Sequence, residues 1–365
     1  FSLYASAQQV LRKSYYGGGD YAGDLLDPLK TLPRGNANGT PLEKEQARKY
    51  QEAYDEALKA LTSYGETKGL DAQVGGNYIH HFPRSFTLTA GAEGTYATLR
   101  DKSGYRSQAI DQVTWTFSQY DQIEYTNDRW SVLLGTRLDE NSAVKKAIFS
   151  PRATLRYNPT KNINIRATYA KGFRAPQVFD EDLHVGVVGG EAQRVTNAED
   201  LRPEISHSFS LSNDMYFTLG GAQVNLLVEG FYTRLLDVFT NYKDKSENGI
   251  SYYTRHNYGI NDNGQQVSSG AKVLGLNLEG KIAYRWLSLQ AGLTLTSNKY
   301  DVNQEWGVRQ KIQGDHDAAY YESFVPKADG SDFDNVAVDN EPQTISMTSK
   351  EITRTPSTYG YFTIG

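Results

Sequence analysis

The chain has 365 residues, with 38 Lys and Arg against 43 Asp and Glu, a net charge of −5 and no cysteine. Mild acidity without a basic stripe argues against nucleic-acid binding, and the missing thiols exclude a disulfide scaffold, a thiolate metal site and a cysteine nucleophile. Mean hydropathy is −0.60 and no apolar run reaches the length of a transmembrane helix, which leaves β-barrels open because half of each barrel strand faces water.

The chain opens in apolar–polar alternation at Phe1-Ser2-Leu3-Tyr4-Ala5, then enters a long polar excursion over residues 14–66. Inside it, Thr40-Pro41-Leu42-Glu43 forms a capping box with Pro at the first helical position. Tyr50, Ala53, Tyr54, Ala57, Leu58 and Leu61 follow at helical spacing. This predicts an amphipathic helix that packs on other outer loops as a lid or wall. After a compact reversal at His81-Phe82-Pro83-Arg84, alternation resumes. Val113, Trp115 and Phe117 oppose Gln112, Thr114, Thr116 and Ser118; Phe149, Ala153, Leu155 and Tyr157 oppose Arg152, Thr154 and Arg156. Beyond the Asn158-Pro159-Thr160-Lys161 reversal, Ile205, His207, Phe209, Leu211 and Met215 oppose four serines at positions 206, 208, 210 and 212. Val224, Leu226 and Val228 then oppose Gln223, Asn225 and Glu229. Leu274, Leu276, Leu278 and Ile282 oppose Asn277, Glu279 and Lys281, and Leu287 to Leu295 repeats the pattern after Ala283-Tyr284-Arg285-Trp286. Period-two alternation gives each strand one apolar and one polar face, and a slip of one residue would exchange them.

A soluble β-sandwich alternates too. Here, however, compact reversals at 81–84, 126–128, 158–161 and 283–286 interleave with long excursions at 14–66, 172–203, 235–270 and 299–355, and shorter ones near 99–107 and 139–147. All long loops therefore fall at one end, as in outer-membrane barrels with short periplasmic turns and long extracellular loops. Phe82, Phe86, Tyr125, Trp130, Tyr157, Phe217, Tyr284 and Trp286 cluster beside the reversals, as an interfacial girdle requires, and 26 Tyr against 14 Phe suits an interface better than a core. The expected fold is all-β: a transmembrane antiparallel barrel of about a dozen strands, located in the bacterial outer membrane and in contact with its lipid. Alternation at both ends of the chain would leave two open edges, whose amides lipid cannot satisfy. Residues 1–365 are therefore expected to be part of one larger barrel domain.

Asn164-Ile165-Arg166-Ala167-Thr168-Tyr169-Ala170-Lys171 leads into Gly172-Phe173-Arg174-Ala175-Pro176, and Asn197-Ala198-Glu199-Asp200-Leu201-Arg202-Pro203-Glu204-Ile205-Ser206 follows. This pair resembles the "GFRAP" and "N-x-x-L-x-P-E-x-S" elements of TonB-dependent outer-membrane receptors. Phe149-Ser150-Pro151-Arg152, Leu134 to Asp139, and Glu229-Gly230-Phe231-Tyr232-Thr233 are supporting matches. Phe179 to His184 with Gly189-Gly190-Glu191 is similar to the Bacteroidetes-type variant. The resemblance implies a 22-stranded barrel around an N-terminal plug. It also implies active import of a ferric siderophore, cobalamin or haem, energised by the TonB–ExbB–ExbD complex through a plug that this chain lacks. A surface lipoprotein is a further expected partner. The same barrel without a plug would serve as a passive porin, and its loops alone as an adhesin.

Several side chains are candidates for a site. Arg174 presents a planar fork to Asp180, Glu181 or Glu204. His184 lies where haem-type relatives carry an axial ligand, although Asn197-Ala198 replaces their Asn-Pro and the neighbouring acids offer it plain hydrogen bonds. Trp306, Tyr320 and Tyr321 stand among the carboxylates of the 299–355 loop, which suits substrate capture, calcium binding or simple solvation. Arg152, Arg156, Arg166 and Glu229 fall on the lumen parity, where the cations suit an anionic chelate or an acidic plug. His80-His81 and His207 read as boundary residues. No Ser-His-Asp set, phosphate loop or paired carboxylates stands out, so neither catalysis, a cofactor nor a metal centre is expected.

Overall fold

The computed structural model describes residues 1–15, 29–61, 64–103, 110–176, 192–247, 250–261, 263–310, 324–326, 333–335, 344–352 and 355–365. Strands β1 (Ser2–Tyr15), β2 (Tyr64–Phe82), β3 (Phe86–Ser103), β4 (Ile110–Thr126), β5 (Trp130–Asn141), β6 (Ile148–Thr160) and β7 (Ile163–Arg174) form the first half, with helix α1 (Pro41–Leu61) between β1 and β2. Short strand β8 (Ala192–Asn197) precedes β9 (Glu204–Leu219) and β10 (Ala222–Leu236). The next four are β11 (Thr240–Glu247), β12 (Ile250–His256), β13 (Tyr258–Ile260) and β14 (Gln266–Ser268). Then come β15 (Gly270–Tyr284), β16 (Leu287–Gln310), β17 (Phe324–Pro326), β18 (Phe333–Asn335), β19 (Thr344–Glu351) and β20 (Thr358–Ile364).

Thirteen strands make one sheet in the order β1-β2-β3-β4-β5-β6-β7-β9-β10-β15-β16-β19, with β20 also on β16. The pairings along this path are antiparallel. β20 lies along the lower part of β16, at Leu289–Leu295 level, and β19 along its upper part from Lys299 onward, so the two share one position in the sheet. β16 continues as a strand to Gln310, which makes the expected 299–355 loop shorter at its start.

The reversals at one end are tight. Gly220 and Gly221 both have positive φ, 58° and 82°, between β9 and β10; a two-residue hairpin of this twist needs residues without a Cβ penalty. Arg84, Ser85 and Arg285 adopt the same region in the neighbouring reversals. The 158–161 reversal moves to Lys161-Asn162, because β6 continues through a register irregularity between Tyr157 and Thr160.

Direct cross-strand partners share a face. Phe209, Tyr232 and Leu274 form one row, Leu211, Gly230 and Leu276 the next, and Met215, Leu226 and Gly280 a third, all on the apolar face. Leu211 is 60% exposed and Leu274 57%, while the fully buried apolar residues are few and mostly small. Among the described residues no second layer covers this face, so a sandwich is excluded. Among the described residues no helix is long and apolar enough to cross a membrane. Aromatic rings gather at the tight-turn end: Trp130 stacks on Tyr157 at 4.2 Å, Phe86 meets Tyr125 at 5.0 Å, and His80 abuts Phe82 at 4.3 Å.

Four further rings lie outside the girdle. Tyr4, Tyr120, Phe231 and Tyr361 lie on the polar face directly opposite Gly75, Gly91, Gly275 and Gly292. A Cβ at any of these glycines would collide with the facing ring. The rings thus lie flat across the wall, which covers otherwise bare backbone and keeps them out of the lumen.

Helix α1 starts with the expected box. Glu43 accepts hydrogen bonds from the Thr40 amide (2.7 Å) and hydroxyl (2.9 Å), and the Glu43 amide turns back to the Thr40 hydroxyl at 3.4 Å. Tyr50 packs under the Arg34 guanidinium, 5.8 Å from its ring centre, and Tyr54 stays 47% exposed.

Candidate functional site

Two sets of side chains face the space that the sheet and its long connections border. The first is the polar wall. Arg156 of β6 lies opposite Arg166 of β7, Arg166 opposite Ser212 of β9, Ser212 opposite Glu229 of β10, and Glu229 opposite Asn277 of β15. In this register Arg152, Arg156, Arg166 and Glu229 share one face of the sheet. Glu229 accepts from Asn277 at 3.0 Å, and Asn277 accepts from Thr294 at 3.0 Å. The arginines are different: among the described residues no carboxylate pairs with Arg152, Arg156 or Arg166, and Arg156 Nε is buried without a partner. Like charges directly opposite each other are unfavourable, so this part of the wall is electrostatically suited to an anionic occupant. On β1 to β5 the wall satisfies itself. Tyr4 donates to Glu93 at 2.6 Å, Gln73 to Glu93 at 2.7 Å, Ser118 to Asp139 at 2.6 Å, and Arg137 to both Asp139 (2.8 Å) and Ser118 (2.7 Å).

The second set lies at the long-loop end. Arg174 leaves β7 and meets Glu204, the first residue of β9, at 3.5 Å. Its guanidinium sits 5.3 Å from the Phe239 ring centre, and buried Arg255 approaches the same ring at 5.7 Å. Glu204 also accepts from the Phe239 amide at 2.7 Å. Of the three carboxylates the sequence offers Arg174, Glu204 is the described partner. The pairing brings the two motif elements side by side where the chain enters β9.

Asn257 is the joint of the adjoining connection. It accepts from the Arg202 amide (2.6 Å) and donates to the carbonyls of Arg202 (3.0 Å) and Asp237 (2.5 Å). Arg202 also reaches Asp237 through its side chain at 2.7 Å. Around this joint a recess of about 430 Å³ opens, lined by Asp200, Arg202, His256, Tyr258, Gln266 and Ser268. His256 and Tyr258 stand 4.6 Å apart, Tyr258 stacks on Tyr242 at 5.2 Å, and burial pushes the Tyr242 hydroxyl up from its ordinary pKa. Charged, hydrogen-bonding and aromatic groups thus converge in a pocket of small-molecule size. Sequence reasoning missed it, because Arg202 and Asn257 lie far apart along the chain. The fold brings them together, Arg202 just ahead of β9 and Asn257 just after β12.

A second depression of about 550 Å³, lined by Leu88, Ile123, Leu134, Pro151, Ala153 and Tyr169 among others, lies on the apolar side of the sheet. His207 faces the same side and meets the Tyr169 hydroxyl at 3.0 Å. His184, Tyr320 and Tyr321 lie outside the described residues, as do the Asp180 and Glu181 alternatives; Trp306 is on β16, with its side chain likewise outside. Among the described residues no group of His, Asp or Glu is arranged to hold a metal ion.

The family model described as "TonB dependent receptor-like, beta-barrel" matches residues 2–357. Among solved structures, an FrpB iron transporter from Neisseria meningitidis is similar over 82% of this chain and 41% of its own, with 11% identity and a TM-score of 0.54. A Serratia marcescens hemophore receptor HasR, in complex with its hemophore HasA and heme, is similar over 83% of this chain and 50% of its own, with 14% identity and a TM-score of 0.55. At these identities the likeness is one of fold, and the chain spans half or less of either relative. No curated protein sequence matches the chain. With the antiparallel sheet, the single apolar face and the paired motif elements, the family match over nearly the whole length leads to one conclusion: this chain belongs to the TonB-dependent receptor β-barrel family of the bacterial outer membrane.

Proposed function

We propose that this chain forms part of the barrel wall and outer loops of an active importer of a scarce nutrient, such as a ferric siderophore, cobalamin or haem. The observation that carries the reading is the recess at the long-loop end, where motif residues Asp200 and Arg202 meet His256 and Tyr258. It is supported by family membership, and by the likeness in fold to an iron transporter and a hemophore receptor. In this reading a metal chelate is captured at the recess, and Arg174, beside Glu204 and Phe239, belongs to the ligand-contact surface at the same end of the sheet. Arg152, Arg156, Arg166 and Glu229 face the interior occupant, whether an acidic plug domain or the passing anionic chelate. Residues 1–365 are one part of a larger closed barrel, with energy supplied by TonB–ExbB–ExbD through a plug and with a surface lipoprotein as a further partner at the loops. His184, Trp306, Tyr320 and Tyr321 belong to the proposed outer contact surface.

Uptake of labelled ferric chelates, cobalamin and haem by cells that express the whole protein tests this. Uptake that disappears when TonB is deleted, and falls roughly tenfold or more in an Arg202→Ala/Tyr258→Ala variant at equal surface levels, supports it; the factor corresponds to loss of one or two good contacts. Flux that ignores TonB and both substitutions would overturn it in favour of a passive pore.

A further inference from the structure

The apolar face of the sheet ends in a line of cations. Lys171 of β7 lies opposite His207 of β9, His207 opposite Arg234 of β10, Arg234 opposite Lys272 of β15, and Lys272 opposite Lys299 of β16. The parallel row nearer the tight turns reads Tyr169, Phe209, Tyr232, Leu274 and Ser297. Direct partners share a face, so the cations point to the same side as the leucines, away from the lumen.

Their height follows from strand geometry. On β15 the stretch from Tyr284 to Leu274 climbs about 25 Å at an ordinary barrel tilt, the height of the hydrocarbon band. Lys272 is the next residue on that face, and Arg234, Lys299 and His207 hold the equivalent places on β10, β16 and β9. Tilt makes the row climb by about 3 Å per strand. The cations therefore begin where acyl chains give way to headgroups, on the side of the long loops.

Single basic residues at this height snorkel to water and need no partner. A row is another matter. Arg234 against Lys272, and Lys272 against Lys299, are like charges in directly opposed positions, which is unfavourable. Among the described residues only part of this is neutralised. Asp301 grips the Arg234 fork (2.7 and 2.5 Å) and stands 4.0 Å from Lys272, and Glu351 lies 3.2 Å from Lys299. Lys171, Arg234, Lys272 and Lys299 against Asp301 and Glu351 leave two positive charges over, before His207 is counted. The Lys272 and Lys299 side chains are 60% and 57% exposed. Beneath the row, Tyr169 and Phe209 pack at 4.9 Å, an aromatic step of the kind that marks a lipid boundary.

We propose that this row binds the phosphorylated headgroups of outer-leaflet lipid, with phosphate oxygens bridging Lys272 and Lys299 beside the Asp301-held Arg234. The occupant is a lipid and not a soluble anion, because the site is built on the membrane-facing surface and continues without a break into the apolar wall. Acyl chains on Leu274, Leu276 and Leu278 would hold the headgroup at the row.

The test uses the whole protein in phosphatidylcholine nanodiscs doped with phosphatidic acid, with retained lipid counted by native mass spectrometry. The wild type should retain phosphatidic acid in preference to phosphatidylcholine. Lys272→Gln/Lys299→Gln should lower that preference roughly twentyfold, from the usual worth of two basic residues at an anionic surface. Lys281→Gln, on the same strand but on the lumen parity, should leave it unchanged, and Lys272→Arg/Lys299→Arg should preserve it. The arginine pair also keeps the test valid if the glutamine pair fails to insert. Equal retention of the two lipids, equal loss in the Lys281 variant, or loss in the arginine pair would overturn the proposal. So would displacement of the lipid by inorganic phosphate at equal concentration, which would assign the row to a soluble anion.

Discussion

Asn257 shows how much one side chain can organise at a sheet's end. It is 8% exposed and carries three backbone hydrogen bonds between segments that share no sequence neighbourhood. Asn257→Ala would strand one amide and two carbonyls, a local cost of roughly 2–4 kcal/mol at about a kcal/mol per bond. The barrel itself should stay assembled, while limited proteolysis within residues 237–269 accelerates. Unchanged cleavage there would show that the recess does not depend on this joint. Arg174 is a weaker case. It is well exposed and its 3.5 Å contact to Glu204 is loose, so its pairing energy is small and its conservative replacement by Lys should change loop order little. The motif made Arg174 and Glu204 visible in the sequence. It could not announce Asn257, His256 or Tyr258, because a lone polar residue in a loop gives no sign of which backbone it will meet.

At the level of elements, local chemistry and cross-strand fit divide the control. Helix α1 obeys local rules: the Thr40 amide and hydroxyl, both donating to Glu43, hold its carboxylate below the ordinary glutamate pKa. A lowered folded value means that the cap is fully present above the unfolded value, about 4.3, and is lost as pH falls through the folded one. An NMR titration of the Glu43 carboxyl should thus show a midpoint below 4.3, moving up to the ordinary value in Thr40→Ala. An ordinary midpoint in the wild type would remove the box as a cap. The sheet obeys contacts instead. Phe231 occupies the place where a side chain at Gly275 would stand, so Gly275→Val forces the ring into the lumen or off its rotamer, at about 1–3 kcal/mol. A lower unfolding midpoint in urea than for Gly230→Val, whose Cβ would meet nothing, is the expected result; equal midpoints would contradict the ring-over-glycine account.

For the whole molecule, the decisive fact is a sheet with one apolar face that no second layer covers among the described residues. Such a face is stable only against lipid, which is why 38% hydrophobic residues suffice. The two faces should therefore respond oppositely to charge. Leu278→Arg places a cation near mid-bilayer and should cost about 2–4 kcal/mol of folding free energy in vesicles, whereas Asn277→Arg, one residue away on the lumen parity, should cost far less. Similar losses for both would mean that the faces have been assigned the wrong way round. The cation row at the upper edge of the same face completes this picture, since hydrocarbon, aromatic and charged bands then succeed one another as the layers of a membrane do.

Alternation, reversal chemistry and loop length were enough to determine strands, faces and membrane class, since each depends on residues within a few positions of one another. The cap of α1 was legible for the same reason. The tertiary structure alone decided the rest. Arg174 met Glu204 when β7 and β9 paired, aromatic rings came to cover the glycines opposite them, and five scattered basic residues became one row. Each of these rests on register between strands up to dozens of residues apart, and period-two patterning specifies which face a side chain takes but not its neighbour across the sheet.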